Sequence, residues 1–233
     1  MTAKQVVFLL PGLLCDDAVW RAQARLLSKT HKVHVPHFFG YDSIPAMARA
    51  ILAMAPERFS LAGHSMGARV AIEVVNQAPS RVDRLAILDT GVHPVRPGEH
   101  EARQELVDIA CTQGMEALAA HWVPPMLAPG RMNDAALLEE VTAMVCRATP
   151  LIFARQIRAL LNRPSTEAVL PAIRCPVQVI VGRQDGWSPI SQHEEIVAAV
   201  PYAKMTVIED CGHMAPLERP EAVGDILTEW LHR

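Results

Sequence analysis

The sequence predicts an α/β fold: a doubly wound, mostly parallel sheet of about six strands, with a helical segment inserted late in the chain. Three observations carry this prediction. Short apolar runs rich in β-branched residues recur, as strands buried on both faces do. Segments of helical period separate most of them. One long interval, 93–174, holds helical stretches without a convincing strand.

Taken in order, the predicted strands are Val6 to Leu10, Lys32 to Pro36, Phe59 to Ala62, Leu85 to Leu88, Val177 to Val181 and Met205 to Ile208. Helices are expected over Ala18 to Ser28, where Leu26 and Leu27 fall in helical step with Val19, and over Ala46 to Ala55, where Ser43 and Pro45 suit a cap and a first turn. Gly67 to Gln77, His193 to Val200 and the amphipathic Pro220 to Leu231 complete the alternation. The inserted interval contains helical stretches at Glu101 to Cys111, Met115 to Trp122, Ala135 to Ala148 and Leu151 to Leu161. Turn residues mark its edges: Pro94, Pro97 and Gly98 at the start, Pro171 and Pro176 at the end. The expected organisation is therefore a core over 1–92 and 175–233, with a helical cap over 93–174.

Composition narrows the function classes. The chain has 233 residues, 50% hydrophobic and 20% charged, with a formal net charge of -3. A chain of this length buries roughly 70% of its unfolded surface, enough for one core without disulfides. The slightly acidic balance gives no attraction to nucleic acid or anionic lipid. The longest uncharged stretch, Ala117 to Gly130, is too short for a bilayer and carries Pro124, Pro125 and Pro129, so no membrane span is expected. Met1-Thr2-Ala3-Lys4 leads straight into the first strand without the pattern of a secretion signal. Five irregularly spaced cysteines (Cys15, Cys111, Cys146, Cys175, Cys211) suit neither a disulfide framework nor a zinc cluster, and a cytoplasmic location is expected.

The chemistry centres on Gly63-His64-Ser65-Met66-Gly67, which lies between a predicted strand and a predicted helix. In so tight a turn the middle residue is strained, and a side chain at either flanking glycine would collide with the adjacent strand or helix. Ser65 would project its hydroxyl at the carboxyl end of the sheet, beside the amides of a helix N-terminus. A serine nucleophile needs a base and an orienting group. Asp185 follows the strand Val177 to Val181, and His213 follows Met205 to Ile208, both on the face where Ser65 emerges. Asp89, after Leu85 to Leu88, is the alternative acid. The structural alternatives are a plain Gly-Ser-Gly turn and a histidine held within its loop.

In its chain order Ser65, Asp185, His213, the sequence resembles the α/β-hydrolase superfamily over essentially its whole length, and in particular the small capped serine esterases that include pimeloyl-carrier-protein methyl esterases. The turn Leu10-Pro11-Gly12-Leu13-Leu14 matches the family's oxyanion turn except that Pro11 replaces the usual His. The resemblance implies Leu13 and Met66 backbone amides as oxyanion donors, no cofactor and no metal. A second departure is Pro36-His37-Phe38-Phe39-Gly40, where relatives more often show Asp-x-Pro-Gly-x-Gly. The implied activity is hydrolysis of a small ester, free or carrier-bound, through an acyl-enzyme. Carbon-carbon bond hydrolysis or a lyase reaction on the same triad, a cofactor-free perhydrolase, and a non-catalytic receptor are the alternatives.

The cap adds one expectation. Between Val141 and Ser165 it carries Arg147, Arg155, Arg158 and Arg163 with no acidic residue. Arg155 and Arg158 share a helix face and are expected to recognise an anionic part of the substrate or carrier, while Trp122, Met126 and Phe153 cover the acyl chain.

Overall fold

The computed structural model describes residues 4–232. Met1, Thr2 and Ala3, on which part of the reading of the N-terminus rests, lie outside the described residues. Six strands, β1 (Val6–Leu10), β2 (Lys32–His34), β3 (Phe59–His64), β4 (Val82–Leu88), β5 (Val177–Gly182) and β6 (Lys204–Ile208), form one sheet in the order β2-β1-β3-β4-β5-β6. Every adjacent pair is parallel. The central strands β3 and β5 are buried along their whole length, which is why they read as unbroken apolar runs.

Strand boundaries shift modestly from expectation. β2 stops at His34, because Pro36 has no amide to donate and restricts the residue before it. β3 continues through Gly63 and His64 to the edge of the turn, since both still pair with β4, opposite Ile87 and Leu88.

The core helices are α1 (Arg21–Leu27), α2 (Ile44–Met54), α3 (Met66–Gln77), α8 (Ile190–Ala199), α9 (Ala215–Glu218) and α10 (Pro220–His232), and four more, α4 (Glu99–Gln113), α5 (Met115–Trp122), α6 (Ala135–Cys146) and α7 (Pro150–Leu161), lie between β4 and β5. The expected single helix at Ala18 to Ser28 is instead a 3-10 turn over Asp17–Trp20 followed by α1, with Asp16 capping the turn through the Ala18 amide. Among the described residues no helix is long and apolar enough to cross a membrane.

The strand order reverses at β1, whose neighbours are β2 on one side and β3 on the other. The loops leaving β1 and β3 therefore diverge and open a crevice at the carboxyl edge of the sheet. The inserted helices are tied over this crevice. Buried Gln156 of α7 accepts from the Leu14 amide at 2.9 Å and donates to the Phe38 carbonyl at 3.3 Å. Arg147, at the end of α6, forks onto Asp16 at 2.6 and 3.0 Å. The loop after α5 also meets the loop after β6, where the His213 amide donates to the Met126 carbonyl at 2.7 Å.

Candidate active site

Ser65 sits between β3 and α3 with φ 53 and ψ -116, a region that side-chain-bearing residues avoid. A β-carbon on Gly63 would overlap the backbone of Gly67 and Ala68, and one on Gly67 would overlap the carbonyls of Leu10 and Pro11. The two flanking glycines are thus demanded by close approach of backbone to backbone. Neighbouring segments hold the strained residue. Its amide donates to the Leu88 carbonyl at 2.9 Å, and the Thr90 hydroxyl donates to its carbonyl at 3.1 Å.

His213 Nε2 lies 2.9 Å from Ser65 Oγ, and His213 Nδ1 lies 2.9 Å from Asp185 Oδ2. The other oxygen of Asp185 accepts from the Trp187 and Ser188 amides, both at 2.9 Å. Burial by itself would raise the Asp185 pKa, but the nearby His213 and these amide donors outweigh it and hold the carboxyl below its usual range. Asp185 therefore remains a carboxylate that accepts from Nδ1-H, which leaves Nε2 free to accept the Ser65 proton.

Asp89 also ends beside this site, at φ 47, but its Oδ1 accepts from the Gly182 amide at 3.1 Å, and its Oδ2, which has no hydrogen-bond partner among the described residues, lies 3.9 Å from His64 Nε2 rather than beside His213. Complete burial, reinforced by the nearby Asp185, pushes its pKa well above the carboxylate range. His64 Nε2 donates to the His213 carbonyl at 2.7 Å, a tautomer fixed because a carbonyl only accepts. Burial and the proximity of His213 push the His64 pKa down to about 3, so it stays neutral. The buried thiol of Cys15 borders the cavity with its pKa pushed up to about 12 by burial and Asp16, which removes it as a nucleophile near neutral pH.

Ser65 and His213, with Asp185 buried behind the histidine, border a cavity of about 150 Å³. Leu13 and Met66 both border it, and neither amide donates to a protein acceptor among the described residues. Gly12 makes this turn possible, since a β-carbon there would stand 2.9 Å from His64 Nδ1 and 3.3 Å from Ser65 Cβ. Trp122 and Met126 line the cavity. Phe153 does not. It is fully buried behind Trp122, with ring centroids 6.0 Å apart.

The expectation for Arg155 and Arg158 needs correction. Phe153, Ile157 and Leu160 turn the apolar stripe of α7 inward, so Arg155 and Arg158 emerge on the solvent side. Arg158 is paired with exposed Asp42 at 3.3 Å. The arginines bordering the cavity are Arg69, Arg103 and Arg163.

Other residues escaped the sequence reading. Trp187 places its ring centroid 5.2 Å from that of His213 and 5.1 Å from that of Trp122, tilted at 40° and 48°, on the cavity wall beside His213. Buried Glu218 accepts from the Gly212 and Met214 amides at 3.0 and 3.1 Å and from the Ala128 amide at 2.9 Å, which fixes the His213 loop to the inserted segment. An acid in the short apolar run Met214 to Leu217 and Glu218 was the available signal, because charges in such settings are usually bound by backbone donors.

Comparison with known proteins identifies the family and the fold. A family model described as the alpha/beta hydrolase family matches residues 6–226. A pimeloyl-acyl-carrier-protein methyl ester esterase from Nitrosomonas europaea is 27% identical over 229 residues, covering 91% of this chain and 90% of the relative. Among solved structures, a thermophilic esterase from Thermogutta terrifontis, with malate bound, superposes with a TM-score of 0.89 at 27% identity, covering 99% of this chain and 90% of the other. An enol-lactonase from Burkholderia xenovorans LB400 shares the fold, with a TM-score of 0.90 at 21% identity over 99% of this chain and 92% of the other.

Proposed function

The chain belongs to the alpha/beta hydrolase family, and from that premise we propose that it is a serine hydrolase of carboxylic esters. The observation that carries this reading is the unbroken chain of 2.9 Å contacts from Ser65 Oγ through His213 to Asp185, opening on an accessible cavity. In the proposed reaction Ser65 Oγ attacks the ester carbonyl carbon as His213 Nε2 takes its proton. Asp185 keeps the imidazole in the tautomer that can do so and stabilises the imidazolium. The negative charge formed on the carbonyl oxygen is received by the Leu13 and Met66 amides, preorganised donors that need no rearrangement. Collapse expels the alcohol, which leaves with the proton from His213. Water, deprotonated by the same histidine, then releases the acid from Ser65.

The named activities of the esterase relatives support ester cleavage over carbon-carbon bond cleavage. The Ser65-bound acyl group separates the two chemistries, because a lyase using Ser65 only as a hydrogen-bonding or basic group forms none. Rapid acid quench of the enzyme with p-nitrophenyl butyrate, followed by intact-mass measurement, should show a butyryl adduct that Ser65→Ala lacks. Ser65→Ala should lower kcat by about 10³- to 10⁶-fold. A Ser65→Ala protein keeping a tenth of wild-type turnover would remove the serine from the reaction.

A further inference from the structure

Arg69 stands one helical turn beyond Ser65 on α3 and borders the same cavity. The residue is only 9% exposed, yet its guanidinium lacks a counter-charge. Of the charged groups around it, Glu99 is already committed: its two oxygens take the fork of Arg163 at 2.7 Å each, and Oε1 also takes Arg103 Nε at 2.9 Å. Glu73, the next turn along α3, accepts from Asn76 and Gln77 instead. His93 contributes its backbone carbonyl to Arg69 Nη2 at 3.4 Å, the long limit of a hydrogen bond, and its imidazole is kept neutral near pH 7 by burial and by Arg96, Arg69 and Arg163. Among the described residues no carboxylate lies within ion-pair reach of Arg69. Burial lowers its pKa to about 9, which still leaves it charged at neutral pH.

A cation taken out of water without a partner is costly, and proteins keep such groups where a ligand completes them. The cavity wall thus presents three guanidinium groups against one carboxylate, with the least-partnered of the three nearest in sequence to the serine. We propose that Arg69 is an anion-binding residue of the substrate pocket and that the substrate is an ester bearing a second, free carboxylate. The planar fork of Arg69 suits two carboxylate oxygens. A cavity of about 150 Å³, the size that holds a benzene ring, limits the substrate to a short chain between the ester and the carboxylate. This inference rests on the esterase reading for its substrate, although the anion site itself does not require turnover.

The test has a kinetic and a binding arm. Hydrolysis of methyl hydrogen succinate, with the carboxylate in the acyl part, and of acetoxyacetate, with the carboxylate in the alcohol part, is compared with that of neutral methyl butyrate by pH-stat. At least one anionic ester should be preferred by 10-fold or more in kcat/KM, and Arg69→Met should cut that preference at least 10-fold. Arg69→Lys, which keeps the charge and loses the fork, should fall between them; it also carries the comparison if Arg69→Met does not fold. Which anionic ester is preferred identifies the side of the ester that carries the acid. In the binding arm, calorimetry of the Ser65→Ala protein with succinate should show binding that is weakened at least 10-fold by adding Arg69→Met. Equal preference for neutral and anionic esters, or succinate binding indifferent to Arg69, overturns the proposal while leaving the esterase reading intact. Succinate binding that depends on Arg69 in a protein that cleaves none of the esters does the reverse.

Discussion

Asp89 accepts a hydrogen bond from the amide of Gly182, the last residue of β5, at 3.1 Å. The acid at the end of β4 is thereby tied to the strand whose following loop carries Asp185, while Asp185 alone of the two reaches His213, at 2.9 Å.

From this arrangement the two acids should part company kinetically. Asp185→Asn removes the acceptor for Nδ1-H and favours the wrong tautomer, so kcat toward p-nitrophenyl butyrate should fall by about 10³- to 10⁴-fold. Asp89→Asn retains an acceptor for Gly182 and should cost less than about 10-fold. The reverse ranking in steady-state assays would assign the acid role to Asp89.

Asp89 should also impose a pH dependence on stability. Its folded pKa is raised by burial and by Asp185. The favourable contribution of its protonated form is fully present below the unfolded value of about 3.9 and is lost as pH rises through the folded value. Wild type should therefore weaken relative to Asp89→Asn by about 1.4 kcal/mol per pH unit across that interval, and no further above it. Urea unfolding of both proteins at several pH values between 4 and 9 measures the gap. A gap that stays constant would mean that the carboxyl is ionised throughout.

The backbone at Ser65 predicts a trade of activity for stability. At φ 53 a side chain stores about 1–3 kcal/mol of strain. Ser65→Gly releases it and gives back about 0.5–1 kcal/mol in chain entropy. Ser65→Gly should therefore melt a few degrees above Ser65→Ala, with both proteins inactive. Equal melting temperatures in differential scanning calorimetry would place the strain elsewhere.

The outward arginines of α7 should be kinetically silent toward small esters. Arg158 and Asp42 have side chains 68% and 49% exposed, and such pairs contribute little. Arg155→Ala combined with Arg158→Ala should change kcat/KM by less than about twofold for neutral and anionic small esters alike. A selective loss on the anionic esters would return these residues to the substrate site.

The strands and the Gly63 to Gly67 turn were legible because their requirements are local. A strand buried on both faces must be apolar throughout, and a turn in which backbone meets backbone admits only glycine at its flanks. The outward direction of Arg155 and Arg158 was legible as well, in the apolar stripe of Phe153, Ile157 and Leu160, but the excess of positive charge in the same segment pointed the other way. Arg69 left no such trace. The first part of α3, from Met66 to Val75, is buried on every side, so no apolar stripe distinguishes its cavity face from its packed faces.

What the sequence by itself determined is therefore the alternation of strands and helices and the position of the strained serine, since each depends on residues near one another in the chain. Only the tertiary structure decided which of two acids meets His213, that Glu218 holds the His213 loop, and that Arg69 is buried at the cavity without a counter-charge. Those outcomes depend on the register of β4 against β5 and on how the inserted helices seat over the crevice. Such long-range geometry is set by packing of the whole core, and no local pattern encodes it.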